Sequence, residues 1–179
     1  GADSHTCTYG AMGAFATGMG STDIAFAMMK GEIWLKVPET IKFIYRGKLK
    51  PWVSGKDLIL YTIGNIGVNG ASYSTMEFCG ETIANLSQDG RFTMANMVIE
   101  AGAKNCIIES DEITRSYMDT VPCTREKKIT EYRSGPDAVY SQVIEYDVSD
   151  MEPQVALPSS PGNVREVNEV KGVKIKNVD

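Results

Sequence analysis

The sequence predicts an α/β fold, and three observations carry that expectation. Short runs with period-two alternation stand between segments that carry helix start and stop signals. Hydrophobic residues make up 42% of the chain and charged residues 23%, as in a soluble globular protein. At 179 residues the chain is long enough for one good-sized core, or for one core and part of a second.

The elements follow in order. Residues 9–20 are small and apolar throughout, which lets a helix lie close against a neighbour until Gly18-Met19-Gly20 breaks it. A second helix is expected to start at Ser21 or Thr22, either of which can cap it, and to stop at Gly31. Two strands are then predicted. Ile33, Leu35 and Val37 alternate with polar or outward positions up to Pro38, and Ile41, Phe43 and Tyr45 alternate up to Gly47. Ser54 with Asp57 three positions later fits a capping box for a helix that fades at Gly64 or Gly67. Residues 72–79 read as extended and 81–86 as a short helix. Asp89 is expected to cap the helix through Met94 and Glu100 that Gly102 ends. Cys106-Ile107-Ile108 reads as a buried strand, and Ser110-Asp111-Glu112 as a helix start favoured by the helix dipole.

From about Pro122 the character shifts. Residues 124–137 are polar, 140–148 alternate as a strand, and 151–162, with three prolines and two serines, read as an extended connection. A short helix-like piece is expected over 163–170. The expected organisation is a compact α/β domain over 32–150. Residues 1–31 would end a preceding domain, and 151–179 would form a linker and the start of a following one. The chain opens on Gly1 rather than Met and stops at Asp179 without a natural finish, so sequence is expected on both sides.

Charge and composition exclude several functions. A net charge of −5 gives no attraction to nucleic acid or to an anionic membrane surface. No apolar run reaches the length of a membrane span and no signal peptide opens the chain, so a cytoplasmic protein is expected. Cys7, Cys79, Cys106 and Cys123 contain no Cys-x-x-Cys pair, and with one histidine no zinc pattern can be assembled; free thiols are expected.

Two constellations can carry chemistry. In the first, Asp3, two residues before His5 in an extended segment, would point to the same side as the imidazole and could orient it for proton transfer. A solvated histidine is the plainer reading. A serine triad with Ser4 lacks the Gly-x-Ser-x-Gly elbow. In the second, Asn96 and Glu100 stand four apart on the expected helix among apolar neighbours, which would share one face and desolvate the carboxylate; a helix-end carboxylate that reaches water is the alternative. The glycines at 10, 13, 18 and 20 do not make a phosphate loop, because Met19 stands where the lysine must be. Close packing is the better account of them.

Several motifs agree in order and spacing with one family. They are Asp3-Ser4-His5-Thr6, Gly10-Ala11, Gly13-Ala14, Gly18-x-Gly20-Ser21-Thr22-Asp23 and Lys36-Val37-Pro38-Glu39-Thr40. The agreement continues through Ser54-Gly55-Lys56-Asp57, Asn96-Met97 with Glu100-Ala101-Gly102-Ala103, and 156–161. Together they resemble the aconitase superfamily, and within it the large subunits of 3-isopropylmalate dehydratase and homoaconitase. The resemblance covers nearly the whole chain apart from 124–137. It implies a three-layer α/β/α domain flanked by parts of its neighbours. It also implies a hydro-lyase that moves a hydroxyl between adjacent carbons of a hydroxy-dicarboxylate with a 4Fe–4S cluster, one iron of which acts as a Lewis acid.

By that resemblance Asp3 and His5 match paired acid groups near the cluster. Ser4 and Asn96 match neighbours of substrate or cluster, and Glu100 matches a carboxylate that pairs with the histidine. The implied partners are the rest of the large subunit and a small subunit that brings the serine base. The family's cluster ligands, a cysteine before Thr-Asn-Gly-Arg and a Cys-x-x-Cys pair, do not occur here; Cys123-Thr124-Arg125 is a superficial echo. The fragment is therefore expected to hold part of a site, without metal ligands, and to be inactive alone. Homoaconitate or a dimethylmalate-type substrate stays open, as does a scaffold or binding domain that kept the fold without the chemistry.

Overall fold

A computed structural model of the chain describes residues 1–122 and 130–175. Its centre is a parallel sheet in the order β3-β2-β1-β4, formed by β1 (Thr40–Arg46), β2 (Thr75–Cys79), β3 (Asn105–Ile108) and β4 (Gln142–Asp147). The helices are α1 (Ser21–Lys30), α2 (Gly55–Ile66), α3 (Glu81–Ala84), α4 (Gln88–Asn96) and α5 (Glu112–Thr120). The 3-10 helices are Ser4–Met12, Met97–Ala101 and Val167–Val170. Helices alternating with a parallel sheet are the α/β arrangement that the sequence leads one to expect.

Register explains the core. Ile41 lies beside Met76 and Met76 beside Cys106; Phe43 lies between Phe78 and Ile144; Tyr45 lies beside Tyr146. Successive side chains alternate between faces, so these apolar groups share one face. Their rings interlock, with Phe43–Phe78 centroids 5.6 Å apart edge to face and Tyr61 of α2 meeting Tyr146 at 5.2 Å. Each such buried side chain contributes roughly 1.5–3 kcal/mol. Cys7 and Ala11 of the first 3-10 helix belong to the same core. The opposite face of the sheet is polar at its middle. Glu77, almost wholly buried, accepts from Tyr140 Oη at 3.0 Å and Ser134 Oγ at 2.8 Å, and faces Lys42 Nζ at 3.2 Å. A buried carboxylate needs that full set of partners.

Close backbone approach fixes the helices. Ser54 and Asp57 form the expected capping box of α2. The free oxygen of Asp57, Oδ1, accepts from Gln154 N at 2.7 Å and so ties α2 to β5 (Gln154–Ala156), which pairs antiparallel with β6 (Val164–Glu166). A Cβ on Gly10 would lie 1.8 Å from the Cys106 carbonyl oxygen, and one on Gly55 would lie 2.3 Å from that of Gly90. The small residues serve packing, as read from the sequence.

Several expectations are corrected. Residues 32–39 form no strand; they run without a ladder into β1, whose two sides are taken by β2 and β4, so period-two alternation alone did not make a strand. Residues 4–12 form a 3-10 helix that Gly13 ends with a φ of 72°. Ser87, not Asp89, caps α4 through Gly90 N. The N-cap of α1 is Gly20, with no side-chain cap bond, and Ser21 and Thr22 lie inside the helix. Residues 164–166 are strand, not helix. Among the described residues no helix is long and apolar enough to cross a membrane.

Candidate functional site

The site grows from the start of the first 3-10 helix. Asp3 caps that helix with its side chain, Oδ1 accepting from the His5 N–H at 2.6 Å, while its carbonyl oxygen accepts from Thr6 Oγ1 at 2.6 Å. The cap is what brings the two side chains together: Asp3 Oδ1 lies 3.8 Å from His5 Nδ1. The expectation of an extended segment is thus replaced by a capped turn with the same result. Ser4 Oγ is 3.1 Å from the same ring nitrogen. On the far side of the ring, Nε2 lies 4.0 Å from Glu100 Oε1. His5, 44% exposed, and Glu100, 41% exposed, both reach solvent, so water can enter between them.

Asn96 behaves differently. The chain passes from α-helix to 3-10 helix at this point, so Asn96 and Glu100 do not keep the i, i+4 relation. Asn96 Nδ2 donates to Thr8 Oγ1 at 3.0 Å, and its carbonyl oxygen accepts from Cys7 Sγ at 3.7 Å. The apolar neighbours Met94 and Val98 turn into the core and leave Glu100 half-exposed rather than desolvated. His5, Asp3, Ser4 and Glu100 therefore meet, and Asn96 braces the first 3-10 helix, which carries Ser4 and His5.

Sequence reasoning missed the groups that hold this arrangement. Thr8 anchors Asn96. A Cβ on Gly18 would lie 2.6 Å from the Asp3 carbonyl oxygen, so residues 14–20 press directly on the site backbone. Asn105, wholly buried at the start of β3, accepts from Ala16 N at 3.2 Å and fixes that segment. No local pattern announces such contacts, because each joins positions far apart in sequence. Beside Ser4 lies a hollow of 280 Å³ lined also by Thr17, Gly18, Met19, Ile99 and Lys104.

The family model of the aconitase family (aconitate hydratase) matches residues 1–178. This chain belongs to the aconitase family. It is 64% identical over 178 residues to the 3-isopropylmalate dehydratase large subunit of Moorella thermoacetica, a match covering 99% of this chain and 42% of that protein. It is 62% identical over 175 residues to the large subunit of that name from Aquifex aeolicus, covering 98% and 40%, and 61% identical over 176 residues to 3-isopropylmalate dehydratase large subunit 1 of Pyrococcus furiosus, covering 98% and 41%. The chain thus spans about two-fifths of the length of the curated relatives it matches.

The described cysteines do not fit the iron–sulfur cluster that the family resemblance implies. Cluster ligands are thiolates. Cys7 and Cys106 are wholly buried, and burial pushes both thiols up from their ordinary range. Cys79, also pushed up chiefly by burial, sits at the end of β2, and its thiol donates to the Phe43 carbonyl. Among the described residues no group of three or more His, Cys, Asp or Glu could hold a metal ion. Cys123, with its Thr124-Arg125 echo, lies outside the described residues.

Proposed function

We propose that this chain is part of the large subunit of a cytoplasmic hydro-lyase that isomerises a hydroxy-dicarboxylate by dehydration and rehydration, with 3-isopropylmalate as substrate and leucine biosynthesis as its setting. The relatives' name supports the substrate. The observation that carries the chemistry is the half-exposed His5 ring, with Asp3 and Ser4 at Nδ1 and Glu100 beyond Nε2.

In this reading Ser4 and Asp3 orient the ring, and Glu100 faces the proton held at Nε2. The ring passes that proton to the departing hydroxyl, which leaves as water. It takes a proton back from water in the reverse direction. The base for the carbon-bound proton is assigned to the small subunit, and the cluster with its cysteine ligands to the part of the large subunit outside this chain.

The test uses the complete large subunit assembled with its small subunit. His5→Gln should lower kcat by about 10²- to 10⁴-fold, the usual contribution of a positioned acid–base group, with less change in KM. Turnover of His5→Gln within twofold of the unchanged enzyme would remove His5 from the chemistry. Turnover of 3-isopropylmalate against homoaconitate by the unchanged enzyme decides the substrate.

A further inference from the structure

Tyr73 holds a φ of 56°, in the left-handed region. For a residue with a side chain this region is unfavourable, so it persists only where several contacts enforce it. Those contacts are visible. The Tyr73 N–H donates to the Gly102 carbonyl at 3.1 Å, and its hydroxyl donates to the Lys36 carbonyl at 3.3 Å. The ring receives two ammonium groups, Lys36 Nζ at 5.7 Å and Lys104 Nζ at 5.2 Å from its centroid. Both distances suit a cation–π contact.

Neither lysine has a carboxylate within ion-pair distance among the described residues. Two unneutralised cations at one ring repel each other, and the rest of the chain carries an excess of negative charge that could have paired them. Lys104 also lines the hollow beside Ser4, and it is the charged residue among those described as lining it. A positioned ammonium, a hydroxyl and glycine backbone around a small cavity form the complement of a carboxylate.

We propose that Lys104, steadied by the Tyr73 ring, binds one carboxylate of the substrate in the hollow while His5 addresses its hydroxyl. The identity of the anion rests on the hydroxy-dicarboxylate reading above. Tyr73 acts as a positioning residue, through Lys104.

The experiment uses the assembled enzyme and two readouts, calorimetric binding of succinate as a non-reacting dicarboxylate, and steady-state turnover. Lys104→Gln should weaken succinate binding and raise KM by about tenfold or more, as loss of a charge-assisted contact does, with kcat altered far less. Lys104→Arg and Tyr73→Phe should retain binding, because they keep the charge and the ring. Tyr73→Leu should lose part of it. Succinate binding by Lys104→Gln equal to that of the unchanged protein would overturn the proposal, as would sulfate binding there as tightly as succinate. Succinate binding that depends on Lys104 in an enzyme that dehydrates no hydroxy-dicarboxylate would support the carboxylate site and sink the proposed reaction.

Discussion

Arg91 is the largest of the fully buried side chains described, 1% exposed, and besides Asp111 its guanidinium reaches Thr114 Oγ1 at 3.2 Å and the Ala84 carbonyl at 3.3 Å. Nη1 donates to Asp111 Oδ1 at 2.7 Å and Nη2 to Oδ2 at 2.6 Å, a forked pair that ties α4 to the cap of α5. Deleting the carboxylate leaves a guanidinium in the core without its counter-charge. Asp111→Ala should therefore destabilise the protein by about 3 kcal/mol, the lower end for a broken buried pair. The lower end applies because Asp111 is itself 36% exposed. Arg91 also holds the Asp111 carboxyl below its ordinary range. Its folded value lies below its unfolded one, so the stabilisation is fully present above about pH 4 and is lost as pH falls through the folded value. Urea unfolding of the parent and Asp111→Asn between neutral pH and pH 3 should show a shallower acid loss in the variant; parallel curves would contradict this.

At the scale of elements, the first 3-10 helix is seated by one missing side chain. Gly10→Ala puts a methyl against the backbone of β3, which cannot yield as a side-chain tip would. A cost of at least about 1–3 kcal/mol is expected, with displacement of the helix that carries His5. Thiol labelling followed by mass spectrometry reports it directly. Cys7 and Cys106 are buried and should stay unlabelled in the parent, and both should react in Gly10→Ala. Continued protection would mean that the helix had found another seat. The same element marks how far the sequence could be read. β1, β2, the capping box of α2 and the glycine stops at Gly31 and Gly102 carry their signals within a few residues, and they appear where those signals lie. The 3-10 character of Ser4–Met12, the switch after Asn96 and the unpaired course of residues 32–39 depend on partners distant in the chain. His5 and Glu100 stand 95 positions apart, and only the family resemblance joined them before the fold did. Lys104 and Tyr73 carried no motif at all.

Across the whole molecule, the two tryptophans lie outside the core, Trp34 82% and Trp52 92% exposed. Intrinsic emission of the folded chain should therefore resemble that of indole in water and be quenched freely by iodide. A blue-shifted, unquenched emission would show that one of them is covered in solution. The aromatic groups that do pack are tyrosines and phenylalanines: Phe43, Tyr45, Phe78 and Tyr146 on the parallel sheet with Tyr61 of α2 against them, and Phe92 of α4 on Tyr117 of α5.

The order of that sheet has a consequence for how the protein is made. β1 leaves the ribosome first yet lies between β2 and β4, and β4 follows it by about a hundred residues. At ordinary synthesis rates of ~5–20 residues per second, one hydrogen-bonding side of β1 stays open for roughly 5–20 s. During that interval the nascent chain presents a strand bearing Ile41, Phe43 and Tyr45 to any other strand in reach, including one from the next ribosome on the same message.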